Sequence, residues 1–472
     1  MWKGEATQTG YCDVDEDAIY SSFFSSDCEF DVKGNVMSLL YGDNFKGETT
    51  ITEDGIFCWL FSDCNEEKKC NVVNAKNLSL PATTLTNHCY DSMFHGCTSL
   101  VTAPQLPATT LAENCYNGMF LGCTSLVTAP ELPATTLADF CYDGMFNRCT
   151  SLVTAPALHA TTLANSCYRY MFTRCTSLIN APELLATTLA NGCYSNMFEG
   201  CTSLVNAPQL PATTLAADCY RYMFANCTSL VTAPQLPATT LANSCYSSMF
   251  RSCTSLVNAP ELPVTTLAAG CYGYMFKDCT SLVNAPQLPA TTLANGCYNS
   301  MFDDCTSLVI APALQATTLA TGCYGGMFGG CTSLVTAPQL PATTLAENCY
   351  NGMFNGCTNL INAPELPATT LAAACYYKMF RGCTSLINVP QLLATTLAKS
   401  CYREMFYGCI SLNYIKAMFT TTPTGSSPNY YTYNWVSGVA ASGTFVKNAA
   451  ATWNVSGVNG IPNGWTIQTA SE

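Results

Sequence analysis

A pair of cysteines eight residues apart, Cys89 and Cys97, returns at Cys115/Cys123, Cys141/Cys149 and onward to Cys401/Cys409, twelve steps of 26 residues and therefore thirteen copies. A unit this short cannot bury its own apolar side, so the copies must stack and share one core. The unit reads CYxxMFxGCTSLVTAPxLPATTLAxx, and its first Cys, Tyr, Met, Phe and second Cys stand in every copy. Hydrophobic residues make up 49% of the 472-residue chain and charged residues 10%, enough apolar surface for a continuous core and too little charge for a disordered chain.

Within a unit, Leu111, Ala112, Cys115, Tyr116, Met119, Phe120 and Cys123 fall at spacings of three and four, which predicts the buried stripe of a short helix. Thr110 stands at its N-cap with Glu113 three residues on, a capping-box spacing, and Gly122 follows as a left-handed stop. Leu100 to Ala103, ended by Pro104, reads as a brief strand pairing with its copies, and Pro107 turns the chain back. The expectation is an α/β repeat solenoid with one short strand and one short helix per coil. Residues 57–412 form the solenoid, with a degenerate first coil at 57–80 (FCWLFSDC from Phe57 to Cys64) and regular repeats from about 81. Residues 1–56 and 413–472 depart from the repeat and read as β-rich caps, which a stack needs to cover its open ends.

Several function classes are disfavoured. A net charge of −13 opposes binding to nucleic acid or attraction to anionic membranes. No apolar stretch approaches the roughly 18 to 20 residues that cross a bilayer, so no membrane insertion is expected. The start, MWKGEATQTG, lacks the pattern of a secretory signal. No Ser/His/Asp set, carboxylate pair or phosphate loop stands out, so no enzyme, catalytic residue or cofactor is expected. The 31 cysteines are spaced unlike a zinc site, with only His88, His95 and His159 to assist, so no metal is expected either. The repeat cysteines read first as small buried hydrophobes in ladders, their thiols on backbone carbonyls, with disulfides between coils as the alternative. Cys12, Cys28, Cys58, Cys64 and Cys70 cluster before the repeats, where a Cys12–Cys28 disulfide is one option.

Comparing the copies separates two kinds of position. The pair after Cys-Tyr runs Asp91-Ser92, Asn117-Gly118, Asp143-Gly144, Arg169-Tyr170, Ser195-Asn196, Arg221-Tyr222 and on to Tyr377-Lys378 and Arg403-Glu404, sharing almost nothing; the pairs before Cys-Tyr and after Met-Phe vary as freely, while the core-facing and turn residues between them barely change. Helical geometry would place the variable pairs on one exposed face. Surface drift and a diversified binding face explain this equally, and Tyr, Arg, Asn, Ser and Gly are residues of adaptable binding surfaces. The candidate contact residues are Arg169, Tyr170, Arg221, Tyr222, Tyr274, Tyr377, Lys378 and Arg403. On the strand side, Thr102, Thr128, Thr154, Asn180, Asn206, Thr232, Asn258 and Asn284 form a polar row, interrupted at Ile310 and lacking the Thr-x-Thr alternation of an ice-binding face.

The CYxxMFxGCTSL and LPATTL blocks, with GNVMSLLYGDNF at 34–45 and the ending at 443–468, resemble the BspA-like leucine-rich-repeat surface proteins of Bacteroides-type gut bacteria and their phages. The resemblance implies a leucine-rich-repeat-like fold, an extracellular, cell-surface or virion location and no catalytic residues. The 26-residue unit is longer than is usual in that family. The function expected is non-catalytic recognition or adhesion, with a host surface glycan or protein as partner. A phage virion component, such as a tail fibre with virion or self-assembly partners, and a structural spacer or lattice protein are the alternatives.

Overall fold

A computed structural model of the chain describes residues 24, 26–62 and 70–470. It forms two compact units, Met1–Pro237 and Ala238–Glu472. Both are built from the same coil, and that coil differs from the expected one.

The expected helix is absent. The only α-helical turn among the described residues is α1, Ser38–Tyr41, which precedes the repeats. The stretch from Ala112 to Cys123 is instead a ribbon of successive tight turns. Every second amide closes a turn inside the coil, as Asn117 N to Asn114 O (3.2 Å) and Met119 N to Tyr116 O (3.3 Å) do. The amides between them donate to the next coil: Tyr116 N to Cys141 O (3.0 Å), Gly118 N to Asp143 O (2.8 Å) and Phe120 N to Met145 O (2.9 Å). The second unit repeats the scheme, with Met275 N on Tyr272 O and Tyr272 N on Cys297 O. Asn114, Gly118 and Gly122 all have positive φ, and such residues recur at four-residue intervals through the coils. A left-handed residue every four positions breaks an α-helix. The spacing of the stack breaks it too: packed helices need 8–10 Å between axes, about twice the separation of hydrogen-bonded strands. The Thr110–Glu113 capping box therefore has no helix to cap. Gly122 is left-handed as expected (φ 75), but as the last of three such residues rather than a helix stop.

Apolar side chains form columns along each unit. Every repeat Cys, Tyr, Met and Phe is at most 2% exposed. Tyr116 stacks on Tyr142 with centroids 5.8 Å apart and Phe120 on Phe146 at 5.6 Å; Tyr272 on Tyr298 and Phe276 on Phe302 do the same in the second unit. The repeat cysteines are thiols rather than disulfides, and all are buried. The second Cys of a unit donates its thiol to a phenylalanine carbonyl of the coil before: Cys123 Sγ lies 3.1 Å from Phe94 O and Cys175 Sγ 3.0 Å from Phe146 O. This is the ladder read from the sequence. Cys12 and Cys64 lie outside the described residues, so the Cys12–Cys28 option does too. Native protein is expected to leave its repeat thiols unreacted with a water-soluble disulfide reagent while Cys28, which is exposed, reacts; fast labelling of repeat cysteines in the folded state, located by peptide mapping, would contradict the packing.

The strand side is narrower than expected. Thr102, Thr128, Thr154, Asn180, Asn206 and Thr232 join by parallel bridges one residue wide, as do Asn258, Asn284, Ile310, Thr336, Asn362 and Asn388 in the second unit. A second row of bridges runs through the ATT blocks, such as Thr110 to Thr136. Among the described residues, longer strands occur only before and after the regular repeats. Strand β1 (Ser26–Asn35) pairs in parallel with β2 (Cys70–Ser79), and β3 (Tyr414–Ala417), β4 (Thr444–Lys447) and β5 (Thr466–Thr469) form a parallel sheet. The turn ribbon runs past the expected limits at both ends. Gly55 N and Trp59 N donate to Asn87 O and Asp91 O, and Tyr402 N and Phe406 N donate to Tyr431 O and Trp435 O.

Candidate functional site

The turn ribbon decides what the variable pairs can do. The second residue of each pair is always left-handed: Ser92, Gly118, Gly144, Tyr170, Asn196, Tyr222 and onward to Lys378 and Glu404. Gly, Asn and Ser at this position thus have a backbone explanation that the sequence reading did not contain. Tyr170 (φ 55), Tyr222 (φ 54) and Tyr274 (φ 58) do not. A left-handed tyrosine costs about 1–2 kcal/mol, a cost the turn ribbon also bears at Phe140, Arg148, Arg174 and Ala374.

The pairs are not uniformly in water, as a helix would have left them. Ser92, Asp143, Ser195, Asn196 and Ser248 are buried, because large residues of adjacent coils lie over small ones at this close spacing. That alternation makes a bowl in the first unit. Arg169-Tyr170 stands on one wall, Arg221-Tyr222 on the other, and Ser195-Asn196 with Gly192 forms the floor. The rim is completed by Asn165, Ser166, Asn191 and Asp218, and the half-open concavity has a volume of about 420 Å³.

The floor is held rigidly. Ser195 Oγ donates to Asn196 Oδ1 (2.8 Å), Asn196 Nδ2 to Glu199 (2.6 Å), and Thr173 Oγ1 to the Asn196 carbonyl (2.6 Å). Along the rim, Asn165 Oδ1 accepts the Asn191 amide and Asn191 Oδ1 accepts the Ala217 amide, both at 3.2 Å, so the two side chains face alike. Arg169 lies over the Tyr170 ring and bonds Asp143 at 2.6 Å; burial pushes the Asp143 carboxyl up, and Arg169 pulls it only partly back. Arg221 lies over the Tyr222 ring and meets Asp218 more loosely at 3.4 Å, with both side chains over 40% exposed. Each guanidinium faces one carboxylate, so the walls carry no surplus charge.

Four of the eight residues singled out from sequence therefore meet in one place. Three others, Tyr377, Lys378 and Arg403, gather in the second unit, where Arg403 lies 5.3 Å over the Tyr377 ring and Lys378 4.8 Å over it. Tyr274 is 42% exposed and joins neither group. The sequence reading missed Ser195, Asn196, Asn165, Asn191 and Asp218. Their signal was the order large, small, large in three consecutive pairs, which is legible only once neighbouring coils are known to touch.

Residues 192–309 and 324–434 match the BspA type leucine rich repeat region, in six copies. These two stretches, just under half of the chain, are similar to BspA-type leucine-rich repeats. Repeats of this type support a solenoid-like fold and suggest an interaction or adhesion role; they are typically non-enzymatic and are often found in secreted or surface proteins. Among the described residues, no helix is long and apolar enough to cross a membrane. No curated protein matches the chain. Among solved structures it is similar to a chain in the crystal structure of the TLR13–ssRNA13 complex, at 13% identity and a TM-score of 0.23, over 79% of this chain and 47% of that one. It thus spans about half the length of that neighbour.

Proposed function

We propose that this leucine-rich-repeat protein is a non-catalytic recognition protein of an extracellular surface, and that it binds a neutral, hydroxyl-rich glycan in the bowl between Arg169-Tyr170 and Arg221-Tyr222. The observation that carries the reading is the pair of left-handed tyrosines flanking a floor of small polar residues. Tyrosine presents a rigid amphipathic face to a sugar ring, and the asparagine, serine and arginine groups supply the hydrogen bonds that orient its hydroxyls. The balanced charge of the walls suits an uncharged ligand.

The test is a screen of neutral oligosaccharides against the intact chain and the double variant Tyr170→Gly/Tyr222→Gly. Glycine suits the left-handed backbone, so relief of strain offsets the lost ring contacts and stability is expected to stay within about 1 kcal/mol of the parent. Binding is expected to fall at least about tenfold, as for aromatic anchors of other interfaces. Unchanged binding by a folded double variant would move recognition away from the bowl.

A further inference from the structure

The second unit carries a cluster unlike the bowl. Lys378, Arg381 and Arg403 converge on one carboxylate, that of Glu404, at 4.0, 3.2 and 3.6 Å. Three cations against one anion leave two positive charges uncompensated, in a chain whose net charge is −13. Arg403 lies over the rings of Tyr377, Tyr430 and Tyr433 at 5.3, 5.4 and 5.1 Å, and Arg381 over Tyr407 at 4.9 Å. The rings and Glu404 hold the guanidiniums in place, yet use little of their hydrogen-bonding capacity. Both arginines approach Glu404 through Nε, these Nε atoms are buried without a well-aligned hydrogen bond, and neither arginine has a protein hydrogen bond at its Nη atoms among the described residues. The cation side chains stay 34–40% exposed while Glu404 is 14% exposed, so a ligand meets the positive groups first.

We infer that this cluster is a second binding site, which takes an oxyanion, sulfate or carboxylate, carried on an acidic saccharide. Pre-organised guanidiniums with open Nη edges match the planar geometry of such groups. The cluster offers chiefly positive charge and hydrogen-bond donors, which suits an acidic saccharide that carries many anions and hydroxyls on one chain. The site stands independently of the bowl, since the residues of the two lie in different units.

Calorimetric titration of the intact chain with a sulfated heparin oligosaccharide, an oligogalacturonate and a neutral dextran oligosaccharide tests it, and the first two arms tell sulfate from carboxylate. Binding of at least one acidic saccharide, weakened by added salt, and no binding of dextran to this site are expected. Arg381→Gln/Arg403→Gln should lose at least about tenfold in affinity, in line with charge-assisted hydrogen bonds. Glu404→Gln should gain several-fold, whereas a merely structural cluster would lose its central anion and gain nothing. Tyr170→Gly/Tyr222→Gly should leave this binding unchanged, which separates failure here from failure of the bowl. The inference is overturned if neither acidic saccharide binds, if the double arginine variant binds as the parent does, or if folded Glu404→Gln binds more weakly. Poly-glutamate binding as tightly as either saccharide would overturn the choice of ligand class.

Discussion

Replacing Phe172 with alanine is expected to cost the first unit about 3–5 kcal/mol, near the top of the range for a single core substitution. Phe172 is fully buried and stacks between Phe146 and Phe198, each 5.7 Å away. The cavity left behind cannot collapse readily, because the coils on either side are held at their separation by backbone bonds such as Phe146 N to Met171 O and Phe172 N to Met197 O, both 2.9 Å. A stack transmits such a defect mainly to its nearest neighbours. Hydrogen exchange should therefore show lost protection concentrated in the coils around residues 146, 172 and 198, alongside a lowered denaturation midpoint. A loss under about 1 kcal/mol, or protection lost evenly through the unit, would contradict a rigid column of rings.

The second large effect is alkaline collapse. Burial raises the thiols of Cys297 and Cys349 to about 11 and those of Cys89, Cys141, Cys193 and Cys401 to about 12, from an ordinary value of 9.0. The buried tyrosines are raised as well, again by desolvation. A raised acid keeps its proton in the folded state after the unfolded state would have released it. The stabilisation is thus complete below pH 9 and is lost as pH climbs from there through 11 to 12. At pH 10 each such thiol costs about 1.4 kcal/mol, so three of them remove about 4 kcal/mol, close to the whole stability of a marginal domain. Thermal melting should be nearly flat from pH 7 to 8.5 and fall steeply above 9.5. An unchanged melting temperature at pH 10.5 would mean that the thiols are not protonated and buried as described.

Both expectations concern residues whose burial was legible beforehand, and the reason is internal repetition. Thirteen copies show which positions never change, and the unchanging Cys, Tyr, Met, Phe and Cys are those found in the columns. The same comparison picked out Arg169, Tyr170, Arg221 and Tyr222, since free variation marks positions outside the core. The helix was misread for an identifiable reason. Cys115, Tyr116, Met119, Phe120 and Cys123 satisfy spacings of three and four, but they also repeat strictly every four residues, which a 3.6-residue helix does not hold over two turns. Glycine and asparagine recurring at positions 114, 118 and 122 and their equivalents are the second sign, a left-handed backbone at every fourth residue rather than a single helix stop after Phe120.

From the amino-acid order alone came the period and the membership of the core, with the thiol ladder as the first of two readings, because each is a property of one coil repeated. Which variable residues lie together, and which of them are buried, was decided only by stacking. Amides that bond to the next coil bring positions 26 residues apart into contact, so small side chains sink beneath large ones and leave the bowl at Ser195-Asn196. At the far end, Tyr430 and Tyr433 reach Arg403 from a final coil that breaks the 26-residue register, where no comparison of copies could have placed them.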